Sequence, residues 1–160
     1  MHRTFKQYIS EQTSKGNYIA IKSPNINVKT LFDNDIPKEG KQIESDDYHC
    51  TLMYSPNTNI SKQKIESVLH NYDKIKVTVV SSDTFNDNFV LLLKSDVLNE
   101  IHAKLTNIGM EHTYSQYNPH ITIWAGLKTA DNQNKYREII KSKVPFDLEL
   151  QGFIIEEIKD

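Results

Sequence analysis

The sequence is poor in cysteine, glycine and proline, has almost no net charge, and contains no long apolar run. Its one cysteine, Cys50, excludes an internal disulfide framework, so a packed core has to hold the fold, and the lone thiol suits a reducing compartment. A formal charge of −2 with 25% charged residues leaves out the basic surplus of a general DNA or RNA binder. Any nucleotide partner is therefore expected to be small and held in a pocket, not a long nucleic acid. No stretch approaches the roughly eighteen apolar residues of a membrane span, and the opening "MHRTFKQYISEQ" has neither an apolar signal core nor a small-residue cleavage site. An unprocessed cytoplasmic protein without a membrane partner is expected. No segment rich in Gly, Pro or Ser marks a boundary, and 160 residues suit a single domain over 1–160. Nothing in the pattern sets an oligomeric state.

What is present is a mixture of strand and helix signals. A helical stretch is predicted near 3–13, a strand at 17–23, a helix over 27–35, and a polar loop through Pro37 and Gly40 into a strand at 47–54. Ser61 is placed to cap a helix carrying Ile65, Val68 and Leu69 on one face. Two strands, "KIKVTVVSS" and "NFVLLLKS", are joined through Asn86 and Asp87, and Ser95 opens a helix that Gly109 stops. A strand at 119–125, a helix capped by Thr129, and the strands "PFDLELQ" and "FIIEEI" complete an α+β chain with a hint of two halves.

One pattern occurs once in each half. "HCTL" at 49–52 and "HITI" at 120–123 are 71 positions apart, and each reads His-x-Thr-apolar inside a strand. With side chains alternating between faces, His49 and Thr51 project together, as do His120 and Thr122, while Cys50, Leu52, Ile121 and Ile123 face the core. Two imidazoles with ordinary pKa values near ~6.5 suit a phosphodiester, because one can take a proton from the attacking oxygen while the other gives one to the leaving oxygen. The threonine hydroxyls would hold the non-bridging oxygens. A zinc site normally needs three protein ligands, and no His, Cys, Asp or Glu stands at ligand spacing to either motif, so neither a metal nor another cofactor is expected. His70 and His102 fall within predicted helices and His112 in polar surroundings, where surface or packing roles are the default.

The paired motif resembles the signature of the two-histidine (2H) phosphoesterases. That likeness implies a metal-independent bilobal fold: two pseudo-symmetric antiparallel sheets, flanked by helices, around a central cleft floored by the two strands. "TFKQYISEQTSKGNYIAIKSP", "YHCTLMYSPN", "NPHITIWAG" and "FDLELQG" look more particularly like the phage anti-CBASS phosphodiesterases, which destroy cyclic oligonucleotide signals of bacterial immunity. The resemblance implies hydrolysis of 3′-5′ bonds in cyclic di- or oligonucleotides within the host cytoplasm, with His49, Thr51, His120 and Thr122 catalytic. It also implies that Tyr18 and Glu149 contact the nucleotides and that a mid-chain aromatic, with Phe85 the nearest candidate, stacks on a base. Alternation adds Trp124, four residues beyond His120, as a second stacking residue. Two alternatives stay open: an RNA 2′,3′-cyclic phosphodiesterase of the same type, and a non-catalytic nucleotide-binding module.

Overall fold

The computed structural model describes residues 15–44, 46–114 and 116–158; the helix predicted near 3–13 lies outside them. Among the described residues there are eight strands: β1 (Gly16–Lys22), β2 (Lys41–Gln42), β3 (His49–Ser55), β4 (Ile75–Phe85), β5 (Asn88–Lys94), β6 (His120–Ala125), β7 (Phe146–Leu150) and β8 (Phe153–Ile158). The helices are α1 (Val28–Leu31), α2 (Lys62–Leu69), α3 (Asp96–Asn107) and α4 (Ala130–Lys141). The strands run in the order β7-β4-β5-β6-β3-β1-β8, with β2 added on β6. The two expected sheets are thus two halves of one antiparallel sheet, joined where β3 and β6 share the single ladder pair Cys50↔Ile121.

Beyond that pair β2 takes the place of β3 beside β6, matching Lys41 with Ala125 and Gln42 with Trp124. The halves part there, because one strand edge cannot serve two neighbours. Local chemistry sets the remaining joints. Asn86 and Asp87 both adopt positive φ (50° and 66°), the conformation that a tight β4–β5 hairpin requires and that Asn and Asp tolerate. The side chains of Ser61 and Ser95 accept hydrogen bonds from the backbone N–H of Lys64 and Leu98, capping α2 and α3. Thr129 does not cap α4; its hydroxyl and backbone N–H both donate to the Glu39 carboxylate, which also accepts from Asn132. Glu39 therefore sits at the positive end of α4 and ties the loop before β2 to the second half.

The expected helix over 27–35 contracts to α1, since Asp33 and Asn34 turn to positive φ. Phe32 at its end is buried and packs on Phe89, Trp124 and Tyr136, with ring centroids 5.6, 6.3 and 4.5 Å away. On the other half α3 lies against β3 and α2. The core runs under both halves on the face away from the motif histidines.

Candidate active site

Register explains how two distant tetrapeptides meet. Carrying the antiparallel pairing on from Cys50↔Ile121 sets His49 opposite Thr122 and Thr51 opposite His120, so each histidine faces the other motif's threonine. Cys50 itself is fully buried between them, and burial pushes its thiol up to about 12, so it is a packing residue and not a nucleophile.

Each histidine ring is anchored in the same way. His49 Nδ1 lies 2.7 Å from the Asp47 carbonyl, and His120 Nδ1 lies 2.9 Å from the Asn118 carbonyl, in both cases the residue two positions upstream. A carbonyl only accepts, so each ring carries its hydrogen on Nδ1 when neutral, and Nε2 becomes the atom that gains or loses a proton. Neither Nε2 has a partner among the described residues.

The β-alternation is broken once in each motif strand, at the same place. Opposite β1, Ala20 pairs with Thr51 and Ile19 with Met53, which leaves Leu52 as an extra residue. Opposite β5, Val90 pairs with Thr122 and Phe89 with Trp124, which leaves Ile123 extra. A bulge after each threonine turns the next residue but one back into the core, so both strands bury positions +1, +3 and +4 from the histidine. Trp124 is consequently 4% exposed, donates from Nε1 to the Glu39 carbonyl at 2.9 Å, and does not line the cleft. The simple period of 2 that put it on the His120 face is corrected by the bulge.

The freed bulge carbonyls acquire other partners. Leu52 O accepts from His102 Nδ1 at 2.7 Å, and Ile123 O accepts from the backbone N–H of Ile43 at 3.2 Å. One residue earlier, Thr51 O accepts from the Tyr117 hydroxyl at 2.8 Å. The Tyr117 ring stacks on His102 at 4.2 Å, and burial pushes its phenol well above the ordinary value. His102 thus serves to hold the bulged strand, a duty its helical position did not disclose.

A cleft of about 810 Å³ opens over this floor, lined by Thr51, His120 and Thr122 together with Tyr18, Phe85 and Val90. His49 is half-buried and is not among the lining residues, but its ring stands edge-on at 6.2 Å to Tyr18, which is. Tyr18 shares a hydrogen bond with Thr51 through its hydroxyl and Oγ1 (3.1 Å), and burial raises its pKa, so the phenol stays protonated. Phe85 is 38% exposed and meets the His120 ring edge-to-face at 5.3 Å. Glu149 is not at the cleft. It pairs in register with Lys76 on β4 and lies 4.0 Å from Lys74 Nζ, with two strands between it and β6, about 14 Å at ordinary strand spacing.

Sequence reasoning passed over several lining residues: Asn86 and Asn88 beside Phe85, and Tyr54, His112, Tyr114, Gln116, Tyr117 and Asn118 opposite. A usable signal was the density of aromatics and amides in "HTYSQYNPH", immediately before the second motif. No described Lys or Arg lines the cleft, so histidine is its only side chain able to carry positive charge. Among the described residues no group of three His, Cys, Asp or Glu side chains could hold a metal, and no helix is long and apolar enough to cross a membrane.

The fold is shared with solved structures of low sequence identity. TT0787 of Thermus thermophilus superposes with a TM-score of 0.57 at 12% identity, covering 87% of this chain and 86% of its own. E. coli LigT complexed with NADP+ gives 0.53 at 15% identity over 92% and 95% of the two chains, and the MHV ns2 PDE domain gives 0.53 at 12% over 91% and 99%. These likenesses establish that the chain shares the α+β fold of LigT, TT0787 and the MHV ns2 PDE domain. A family profile described as "Anti-CBASS protein Acb1" matches residues 15–159, and with every described residue inside that match, the protein belongs to the Acb1 anti-CBASS family.

Proposed function

We propose that the protein is a metal-independent phosphodiesterase that opens 3′-5′ bonds of cyclic di- or oligonucleotide immune signals, with His49 and His120 as the proton-transferring pair. Membership of an anti-CBASS family and the two-histidine phosphoesterase fold support phosphodiesterase action against immune signals. A nucleotide ligand is supported by LigT, a protein of this fold that holds NADP+ in its crystal structure. The observation that carries the reading is the matched pair of Nδ1 anchors, which leaves two free Nε2 atoms in one pseudo-symmetric setting.

In this scheme one neutral Nε2 removes the proton from a ribose 2′-hydroxyl, whose oxygen attacks the adjacent phosphorus. The other ring, charged at the start, protonates the departing 5′-oxygen through Nε2. The P–O5′ bond breaks as the P–O2′ bond forms, and the product ends in a 2′,3′-cyclic phosphate. Thr51 and Thr122 donate to the non-bridging oxygens, and the Tyr18 hydroxyl fixes the direction of the Thr51 hydroxyl. Exchange of the two histidine roles would let water open the cyclic phosphate in a second step. Phe85 is placed to stack on a base beside His120.

The test is incubation with a panel of cyclic dinucleotides and trinucleotides, with and without excess EDTA, read by mass spectrometry. Linear products should form in both conditions, preceded by a species lighter by one water. Quantitative recovery of intact, tightly bound ligand would mark a sequestering module instead, and loss of turnover on chelation, restored by zinc, would mark a metal enzyme.

A further inference from the structure

The scheme above uses the floor of the cleft and its Phe85 end, and leaves the opposite wall without a task. We propose that Tyr54, His112 and Tyr114 form a second base-binding subsite, so that the cleft holds one base on each side of the phosphodiester being cut. The proposal rests on the phosphodiesterase reading and names the part of the substrate that reading leaves unplaced.

Size is the first observation: about 810 Å³ falls in the upper part of the range for whole small ligands, more than a phosphate and one base require. Exposure is the second. Tyr114 is 71% exposed and Tyr54 38%, and both line the cleft, whereas most other aromatics on this half are packed. Apolar ring faces turned to a concave wall are what a base would cover.

The third observation is that this wall is held in place. The backbone N–H of Thr113 donates to the Tyr54 carbonyl at 3.1 Å, and the N–H of Glu111 donates to Ser55 Oγ at 3.0 Å. Between these two anchors His112 Nδ1 accepts from the Tyr54 backbone N–H at 3.1 Å. Its ring is edge-on to Tyr114 at 5.9 Å and to His102 at 4.9 Å. A platform already ordered loses little freedom when a ligand arrives.

The fourth concerns chemistry. With Nδ1 committed as an acceptor, neutral His112 carries its hydrogen on Nε2, and that donor has no partner among the described residues. Burial, and secondarily the charge of His102, holds the His112 pKa below its ordinary value, which keeps the Nδ1 acceptor available near neutral pH. The subsite therefore offers ring faces and one N–H donor, a match for a base with a ring-nitrogen or carbonyl acceptor at its edge.

Equilibrium binding of cyclic di-adenylate and cyclic di-guanylate analogues lacking both 2′-hydroxyls tests this, since such probes lack the nucleophile. Tyr114→Ala should weaken the tighter-binding probe by roughly 5- to 150-fold, the loss of one stacked base, while Tyr114→Phe should stay within about twofold of the parent. At an exposed position neither change threatens the fold. Unchanged binding by Tyr114→Ala, equal loss in the Phe variant, or no binding of either probe by the unmodified protein would overturn the subsite. Parallel incubation with the natural cyclic dinucleotides separates the two ideas: a protein that binds the probes but leaves the natural ligands intact refutes the catalytic reading, and the Tyr114 variants still decide the subsite.

Discussion

Tyr18 gives its ring to the cleft wall and its hydroxyl to Thr51, and Tyr18→Phe removes only the hydroxyl. The hydroxyl shares a hydrogen bond with Thr51 Oγ1 at 3.1 Å, and burial keeps the phenol protonated. A neutral hydrogen bond of this kind is worth about 0.5–1.5 kcal/mol, so kcat should fall by about 2- to 13-fold with KM little changed. Thr51→Ala removes the donor to a charged phosphate oxygen, worth about 1.5–3 kcal/mol, and should cost about 10- to 150-fold. If the Tyr18 hydroxyl works only by directing Thr51, the losses must not add. In the Thr51→Ala background, Tyr18→Phe should change kcat by less than about twofold, a coupling read from initial rates of cyclic dinucleotide cleavage by the parent, two single variants and the double variant. Multiplication of the two losses in the double variant would refute the reasoning and give the hydroxyl its own contact with substrate.

Three further outcomes follow from the same geometry. A cyclic dinucleotide with both 2′-hydroxyls replaced by hydrogen should bind but resist cleavage, because a positioned intramolecular nucleophile is worth about 7–11 kcal/mol; comparable cleavage of the analogue would assign the attack to water. Trp124→Ala should lower stability by about 3–5 kcal/mol in urea titration while leaving the KM of the folded fraction unchanged, since the ring is buried against Phe32 rather than in the cleft; a raised KM with normal stability would contradict this. His112 should titrate by NMR below its ordinary value of 6.5. In the window just below 6.5 the unfolded chain holds the extra proton, so the histidine's contribution to stability is present above 6.5 and is lost as pH falls through the depressed value; an unshifted titration would remove it.

The framework was legible because its signals are local. Paired His-x-Thr strands, serine caps at Ser61 and Ser95, the Asn86-Asp87 hairpin and the Gly109 stop each depend on a few adjacent residues, and each stands where the pattern put it. Tyr18 and Phe85, which the family likeness singled out for nucleotide contact, both line the cleft. Trp124 was misplaced for a specific reason: a bulge is a property of two strands in register, and nothing in "HITIWA" alone announces that Ile123 will be skipped. The resemblance put Glu149 with the nucleotides, yet the order of strands, which no single segment encodes, carries β7 to the far edge of its half. The histidine anchors were invisible for a third reason, since Asp47 and Asn118 contribute backbone carbonyls and any residue supplies one. Thr129 lost its capping task to Glu39, a partner ninety positions away in sequence.

The most direct test of the central claim is cyclic dinucleotide turnover by His49→Ala, by His120→Ala and by the double variant, with circular dichroism confirming the fold of each. Each single change should lower kcat by at least about 100-fold, and the double variant should be little worse than either one, because an acid and a base serving a single displacement act as a unit. Near-parent turnover in either single variant, or two losses that simply multiply, would contradict the two-histidine mechanism.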